Sequence, residues 1–252
     1  LKLFQDRFYR SCFYAIFAMS ASMYGVLFIL PFYLKLLTFK QLDEVGFLIL
    51  LFTVVAVIIQ PLVLYLAKKI NLKLLLILGL LFVFLSFFTQ AQFIISASYK
   101  AVVLALILLG VGLGVIWGGV RAIVFRLFSP ERHHLISETF WSWYAASAAI
   151  GLALFGAVFR QSQQNYIAVH IGENIEVAKV QYNWLSMYLG DTAEFKHIFY
   201  QQSPSALAKI HAIYLSAIDH AYIQVGIFGA GVSLAACIAV IVIKMTRVNK
   251  KI

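Results

Sequence analysis

Long apolar runs separated by short polar breaks dominate this chain. Six of the runs are long enough for a helix to cross the hydrocarbon of a bilayer, which takes roughly 20 residues. No stretch shows the alternating apolar and polar positions that membrane β-strands require. The pattern predicts an all-α, polytopic membrane protein with six transmembrane helices. These cover about 11–34, 46–67, 74–95, 101–125, 140–159 and 219–243.

The same pattern divides the chain into five segments. In chain order they are an amphipathic cytoplasmic lead-in (1–10), the first five helices (11–159), a long extracytoplasmic loop (160–218), the sixth helix (219–243) and a basic cytoplasmic tail (244–252). We expect the loop to be partly helical, because apolar residues recur at helical spacing from Leu207 onward. Ser203-Pro204-Ser205 is a helix start signal, so the last helix is expected to begin outside the bilayer.

Composition supports the membrane assignment and excludes other classes. The chain has 63% hydrophobic and only 12% charged residues, whereas soluble domains carry roughly 25% charged residues. Its net charge of +10 does not indicate nucleic acid, because the basic residues gather at the ends of apolar runs. Cys12 and Cys237 lie inside apolar runs and indicate packing. No motif points to an enzyme, a metal or another cofactor.

Basic residues are distributed unevenly between the two sides of the predicted membrane. Lys68, Lys69 and Lys73 form a cluster between the second and third spans, on the same side as both termini. That side holds 13 of the 20 Lys and Arg residues, and the other side holds 7. The positive-inside rule therefore predicts that both termini and the lysine cluster are cytoplasmic. We expect the membrane to be the plasma (inner) membrane.

Several motifs together resemble a known family. The run LFQDRFYRSCFYAIFAMSASMYGVLFILPFYLKLL, with an R-x-F stretch and an LP-x-Y-L ending at Leu30 to Leu34, resembles the start of the C-terminal half of fourteen-span drug:proton antiporters. These are the EmrB/QacA type of the major facilitator superfamily. The lysine cluster stands where that family has G-x-L-A-D-R-x-G-R-R, with Lys68 at the acidic position. The stretch LLGVGLGVIWGG, followed by Glu131 and Arg132 in a P-x-E-R loop, is also similar.

The resemblance implies a fold and a function. It implies one six-helix half, the C-terminal bundle, of a major-facilitator-type fold. An N-terminal half of six to eight spans is then missing, and the absence of an initial methionine leads us to expect an upstream segment. The implied function is secondary active transport: proton-coupled export of lipophilic or amphiphilic small molecules by alternating access, as in multidrug efflux. The alternative is a non-transporting six-span scaffold or a subunit of a membrane complex.

Candidate site residues are the polar groups inside the predicted spans. A substrate cavity between two halves would draw on Ser22, Tyr24, Gln60 and Gln224. Gln60 is the strongest of these, because a buried amide needs partners and Pro61 frees a backbone carbonyl nearby. Serines in membrane helices also bond to their own backbone or join two helices.

Proton coupling needs a titratable group, and acids are scarce in the spans. Asp219, with His220 beside it, lies at the outer end of the sixth span and is the candidate proton carrier. The alternative is an interfacial polar pair on an extended helix.

Two further patterns concern the fourth and fifth spans. Gly110, Gly114 and Gly118 repeat every four residues, which is typical of close helix packing. The aromatic residues near the cytoplasmic end of these spans offer π-faces to a lipophilic cation or form an interfacial belt. They are Trp117, Trp141, Trp143 and Tyr144. Arg121 lies close enough to its helix end to extend its side chain to the headgroups.

Overall fold

The computed structural model describes residues 7–37, 42–93, 99–172 and 204–243, and six helices account for nearly all of them. The helices are α1 (Arg7–Leu37), α2 (Leu42–Leu66), α3 (Leu72–Phe93), α4 (Tyr99–Leu127), α5 (Pro130–Gly172) and α6 (Pro204–Val242). Each contains a segment long and apolar enough to cross a membrane. The prediction of an all-α polytopic protein with six spans is confirmed.

Several helices extend beyond the apolar runs that predicted them. α5 has 43 residues and is about 64 Å long at 1.5 Å per residue, about twice the hydrocarbon thickness. It begins at Pro130, and α6 begins at Pro204, because proline lacks only an N–H that the first turn of a helix leaves unbonded. Both ends of the predicted outer loop are therefore helical, at Arg160–Gly172 and from Pro204 onward. Residues 173–203 lie outside the described residues.

The helices alternate in direction, so two sides of the bundle can be named. The basic side holds the start of α1, the α2–α3 and α4–α5 connections and the end of α6. The far side holds the opposite ends.

The contacts between helices are approximately symmetric. Replacing α1, α2 and α3 by α4, α5 and α6, and the reverse, reproduces most of these contacts. α1 packs along α5 as α4 packs along α2, and α3 contacts α4 as α6 contacts α1. The contact between α3 and α6 is its own counterpart, whereas the α5–α6 and α1–α3 contacts have no comparable counterpart. Because α1 and α4 run in opposite directions, the bundle resembles two inverted three-helix repeats. α1 and α4 occupy its centre, and α2 and α5 its edges.

Glycines on α4 allow α2 to approach closely. A Cβ added at Gly110 would stand 2.5 Å from the carbonyl oxygen of Phe52, and one at Gly114 would stand 2.7 Å from that of Ala56. At Gly118 the nearest atom, in Val63, would be 2.8 Å away. All three distances are shorter than a side chain tolerates, so the glycine row is the surface on which α2 packs.

Two basic residues join helix ends on the basic side. The Lys73 ammonium at the start of α3 donates to the carbonyl oxygens of Ile241 and Ile243, at distances of 2.7 and 2.9 Å. The Arg126 guanidinium at the end of α4 donates to the carbonyl of Ala67, just past α2. Cations are favoured at these positions because the last carbonyls of a helix lack partners and carry partial negative charge.

Candidate functional site

The four predicted cavity residues lie at separate places in the bundle. Ser22 is fully buried on α1, and its hydroxyl has no hydrogen-bond partner in the described part of the chain. Tyr24 is half-buried and packs edge-on against Tyr144 of α5. Gln60 on α2 and Gln224 on α6 are half-buried. Within the described ranges no hydrogen bond joins any two of the four side chains, and their role in a cavity between two halves stays a prediction.

An aromatic cluster gathers where α1, α4 and α5 meet. Trp117 lies 5.4 Å from Trp141 and 5.3 Å from Tyr144 between ring centroids, and Trp141 meets Tyr144 edge-on at 5.6 Å. Tyr24 adds a fourth ring, 5.9 Å from Tyr144. Trp143 points elsewhere, stacking on Phe13 at 3.8 Å and donating to its carbonyl oxygen. The tertiary structure thus separates Trp143 from the other three candidates.

A groove opens beside this cluster, between α4 and α5 on the basic side. Trp117, Arg121 and Val124 recur at helical spacing on α4, and Ser137 and Trp141 do so on α5. The two helices contact each other little, which leaves a space of about 140 Å³ between them. We call this space the aromatic groove, and its lining residues are Trp117, Val120, Arg121, Val124, Phe125, Ser137, Phe140 and Trp141.

Arg121 is the charged residue that lines the groove. Its side chain is exposed, and no carboxylate in the described part of the chain pairs with it. The carboxylate of Glu138 on α5 instead lies 3.4 Å from the imidazole of His134, one turn earlier on the same helix. The groove therefore combines aromatic faces with one unpaired cation.

Asp219 lies in the opposite half of the bundle and is half-buried. The Tyr33 hydroxyl on α1 donates to its carboxylate at 3.4 Å. The ring of Tyr33 stacks on that of Tyr222, one turn along α6, with centroids 4.0 Å apart. Two chain segments 186 residues apart thus meet around the one acidic side chain that the structure places inside the far half of the described spans.

A second chain of hydrogen bonds begins at the stacked Tyr222 and leads into the bundle. The Tyr222 hydroxyl donates to the Gln90 side-chain oxygen at 3.1 Å, and the Gln90 amide donates to Ser86 at 3.3 Å. Ser86 in turn donates to the Ala105 carbonyl at 2.7 Å. We call Asp219, Tyr33, Tyr222, Gln90 and Ser86 the far-side network. Their bonds satisfy polar groups that would be costly to bury alone in hydrocarbon.

His220 points toward α5. Its ring lies 5.2 Å from that of Tyr166, and Tyr166 stacks on His170 at 3.9 Å. His220 and Asp219 are neighbours in sequence, but they face different helices. The two groups are close enough to interact electrostatically, and each also contacts a tyrosine on another helix.

The loop-motif residues lie on the basic side. Lys68, Lys69, Glu131 and Arg132 are exposed, and Lys69 lies 5.4 Å from the centre of the Tyr65 ring. Lys73 instead donates a hydrogen bond to a carbonyl oxygen at the end of α6. The lysine cluster therefore contains one cation that joins two helices, beside the exposed Lys68 and Lys69.

The sequence of this six-helix chain matches the model of a known protein family. The family model of the Major Facilitator Superfamily matches residues 1–159, more than half of the chain. The chain belongs to this superfamily. It is an integral membrane protein of a transporter class, whose partners are the lipid bilayer and a small-molecule substrate, and such proteins are generally not enzymes. A search of curated proteins finds no match.

Sequence reasoning missed several residues that the structure places at these two sites. Tyr33 was noted only as part of a resemblance motif, and Gln90 and Tyr222 were not singled out. Arg121 was interpreted as a helix-end residue that reaches the headgroups. The four-residue spacing of Trp117 and Arg121 was a usable signal, because it places both side chains on one face of a helix.

Proposed function

We propose that this chain forms half of a secondary transporter that exports lipophilic or amphiphilic small molecules in exchange for protons. The observation that carries the proposal is a half-buried carboxyl, Asp219, hydrogen-bonded to Tyr33 inside a transporter bundle. Ionisable residues are expensive within a membrane and mark ion pathways there by default. The resemblance to EmrB/QacA-type antiporters supports the same direction of transport.

A proton cycle follows from the contacts of Asp219. In the ionised state its carboxylate accepts the Tyr33 hydroxyl hydrogen bond. Protonation from the far side neutralises it, which weakens the bond to Tyr33 and lowers the cost of enclosing the group in hydrocarbon. Release of the proton on the basic side completes the cycle. His220 stands one residue away and is the proposed proton donor from the far side.

Transport by alternating access requires a second half. We propose that an N-terminal half of six to eight spans packs on this bundle, as in fourteen-span antiporters, and that substrate binds between the halves. The excess of basic residues supports the proposal that both termini of this chain lie in the cytoplasm and that the protein resides in the plasma membrane. Substrate would then enter from the cytoplasmic side, where the aromatic groove lies.

Reconstitution of the full-length gene product in proteoliposomes tests the proposal. The probes are ethidium and naphthalenesulfonate, and the driving force is an imposed pH gradient. We expect gradient-driven flux of a probe in the unmodified protein. In Asp219→Asn, which holds the residue permanently neutral, we expect flux at the level of protein-free liposomes. The matched control is Glu138→Gln, which neutralises an exposed acid paired with His134.

Two outcomes contradict the proposal. Flux that ignores the pH gradient in the unmodified protein would exclude proton coupling. Flux in Asp219→Asn equal to that of the unmodified protein would move the proton carrier elsewhere. Equal losses in Asp219→Asn and Glu138→Gln would assign the effect to misfolding, which size-exclusion chromatography of both variants checks.

A further inference from the structure

We propose that the aromatic groove binds small organic anions, a flat ring carrying a carboxylate or sulfonate, and that these are the substrates of the transporter. The inference rests on the transport function proposed above and specifies its substrate class. It differs from both sequence-based alternatives for these aromatic residues, a lipophilic cation and an interfacial belt, and the reason is the position of Arg121.

Charge within the groove favours a negative ligand. Arg121 lines the groove and is unpaired in the described part of the chain. The nearest acidic residue along α5, Glu138, is exposed and lies against His134. A cationic ligand would meet the guanidinium with like charge and find no carboxylate to offset it. An anion would accept charge-assisted hydrogen bonds from a group shaped for carboxylates and sulfonates.

The groove also fixes where the ring of the ligand lies. Trp117 is one helical turn from Arg121, toward the middle of the bilayer, at an axial distance of about 6 Å. Trp141 faces it from α5, with ring centroids 5.4 Å apart. A ligand with its charged group at Arg121 therefore places its apolar part beside two indoles. The ligand is thus amphiphilic, with its charge toward the basic side.

The volume of the groove limits the size of the ligand. The groove volume of about 140 Å³ is below the roughly 300–1,000 Å³ typical of pockets for drug-sized ligands. One or two fused rings are therefore the largest flat body that this half of the site accommodates. The small Ser137 on the α5 wall adds a hydroxyl that can donate to a second oxygen of the anion.

Three ligands with one ring system and different charges provide the test. They are naphthalenesulfonate, the neutral naphthalenesulfonamide and the cation naphthylmethyl-trimethylammonium. Equilibrium dialysis against the purified full-length protein in detergent measures their affinities. We expect the sulfonate to bind about tenfold or more tightly than the sulfonamide, since hydrogen bonds to charged groups contribute about that factor. The cation is expected to bind most weakly.

Substitutions then assign the preference to named side chains. Arg121→Gln is expected to equalise the sulfonate and the sulfonamide, and Arg121→Lys to retain part of the difference. Trp117→Ala is expected to weaken all three ligands by a similar factor without changing their order. Arg160→Gln, which removes another exposed arginine, on α5 at the far side, is the matched control and should bind as the unmodified protein does.

Three results would overturn the inference. One is equal or tighter binding of the cation by the unmodified protein, and another is an unchanged sulfonate preference in Arg121→Gln. The third is complete displacement of the sulfonate by equimolar phosphatidylglycerol, which would assign the groove to an anionic lipid headgroup. Because the assay measures binding alone, a sulfonate preference without gradient-driven flux would contradict the transport proposal and leave the anion site standing.

Discussion

At the scale of single residues, hydrogen bonds within the far-side network decide which polar groups the bundle can bury. Tyr222 is fully buried, and its hydroxyl donates to Gln90. Gln90 is buried as well and depends on Tyr222 and Ser86 for its partners. An amide in hydrocarbon without a partner is costly, so the stability of each residue depends on the other.

Removing the Tyr222 hydroxyl alone should therefore lower the free energy of unfolding more than removing both the hydroxyl and the Gln90 amide. Tyr222→Phe leaves the Gln90 oxygen without its donor, and we expect the free energy of unfolding to fall by about 1–3 kcal/mol. Gln90→Leu in the same protein should restore part of that loss, because it removes the unsatisfied group. Denaturant titration of the two single variants and the double variant measures the coupling. Strictly additive losses would contradict the prediction.

At the scale of elements, α4 presents different chemistry to two neighbours. The row of Gly110, Gly114 and Gly118 faces α2, where only a backbone without Cβ permits the observed approach. Trp117 and Arg121 project toward α5 instead and line the aromatic groove. α4 thus packs against an edge helix through one face and lines the proposed binding groove through another.

Adding a methyl group to the glycine row should separate α4 from α2. In Gly114→Ala the new Cβ would stand 2.7 Å from the Ala56 carbonyl oxygen, and we expect a loss of about 1–3 kcal/mol in stability, as for other overpacked sites. Gly231→Ala on α6 is the matched control, because nothing lies within 4 Å of its added Cβ. It should be neutral or stabilising by up to about 1 kcal/mol from helix propensity. Equal thermal unfolding of the two variants would contradict this account.

At the scale of the whole molecule, burial is uneven among the six helices. In the apolar spanning segments of α2 and α5, 17% of the residues are buried inside the bundle. In those of α1 and α4, the buried fraction is 61%. α2 also carries the most hydrophobic sequence of the six spans. An exposed, apolar helix at the edge is expected of a bundle that contacts lipid on some faces and, as we propose, an N-terminal half on others.

Oxygen accessibility of spin labels distinguishes these two environments. Labels in the full-length protein would be placed at exposed apolar positions of α2 and α3. We expect high accessibility at the exposed positions of α3, which we propose face lipid, and a low-accessibility stripe at helical spacing on α2, where the proposed N-terminal half covers it. Uniformly high values on both helices would contradict the presence of that half at α2. The positions are Leu50, Val54, Val57, Ile58 and Leu62 on α2, and Leu74, Leu78, Leu81 and Leu85 on α3.

The sequence by itself determined the fold class, the six spans and the side that carries the basic residues. Each of these properties is local or additive, since about 20 apolar residues make a span whatever they pack against. The motifs near Leu30 and Glu131 likewise led to the superfamily before any contact was known, because a family pattern is read along the chain. The glycine spacing on α4 also indicated a packing face.

Only the tertiary structure decided which polar residues meet. Spans that are apolar on every side give no signal of which face turns inward, because lipid and a neighbouring helix are equally apolar surroundings. The sequence indicated Asp219 and His220 as one candidate site, and the folded chain adds Tyr33, 186 residues away, as a partner of Asp219. It also grouped Trp143 with Trp117, whereas the structure separates them and places Arg121 beside Trp117. Helix rotation, which hydrophobicity leaves free, is set by close packing at glycines and by the pairing of buried hydrogen-bond groups.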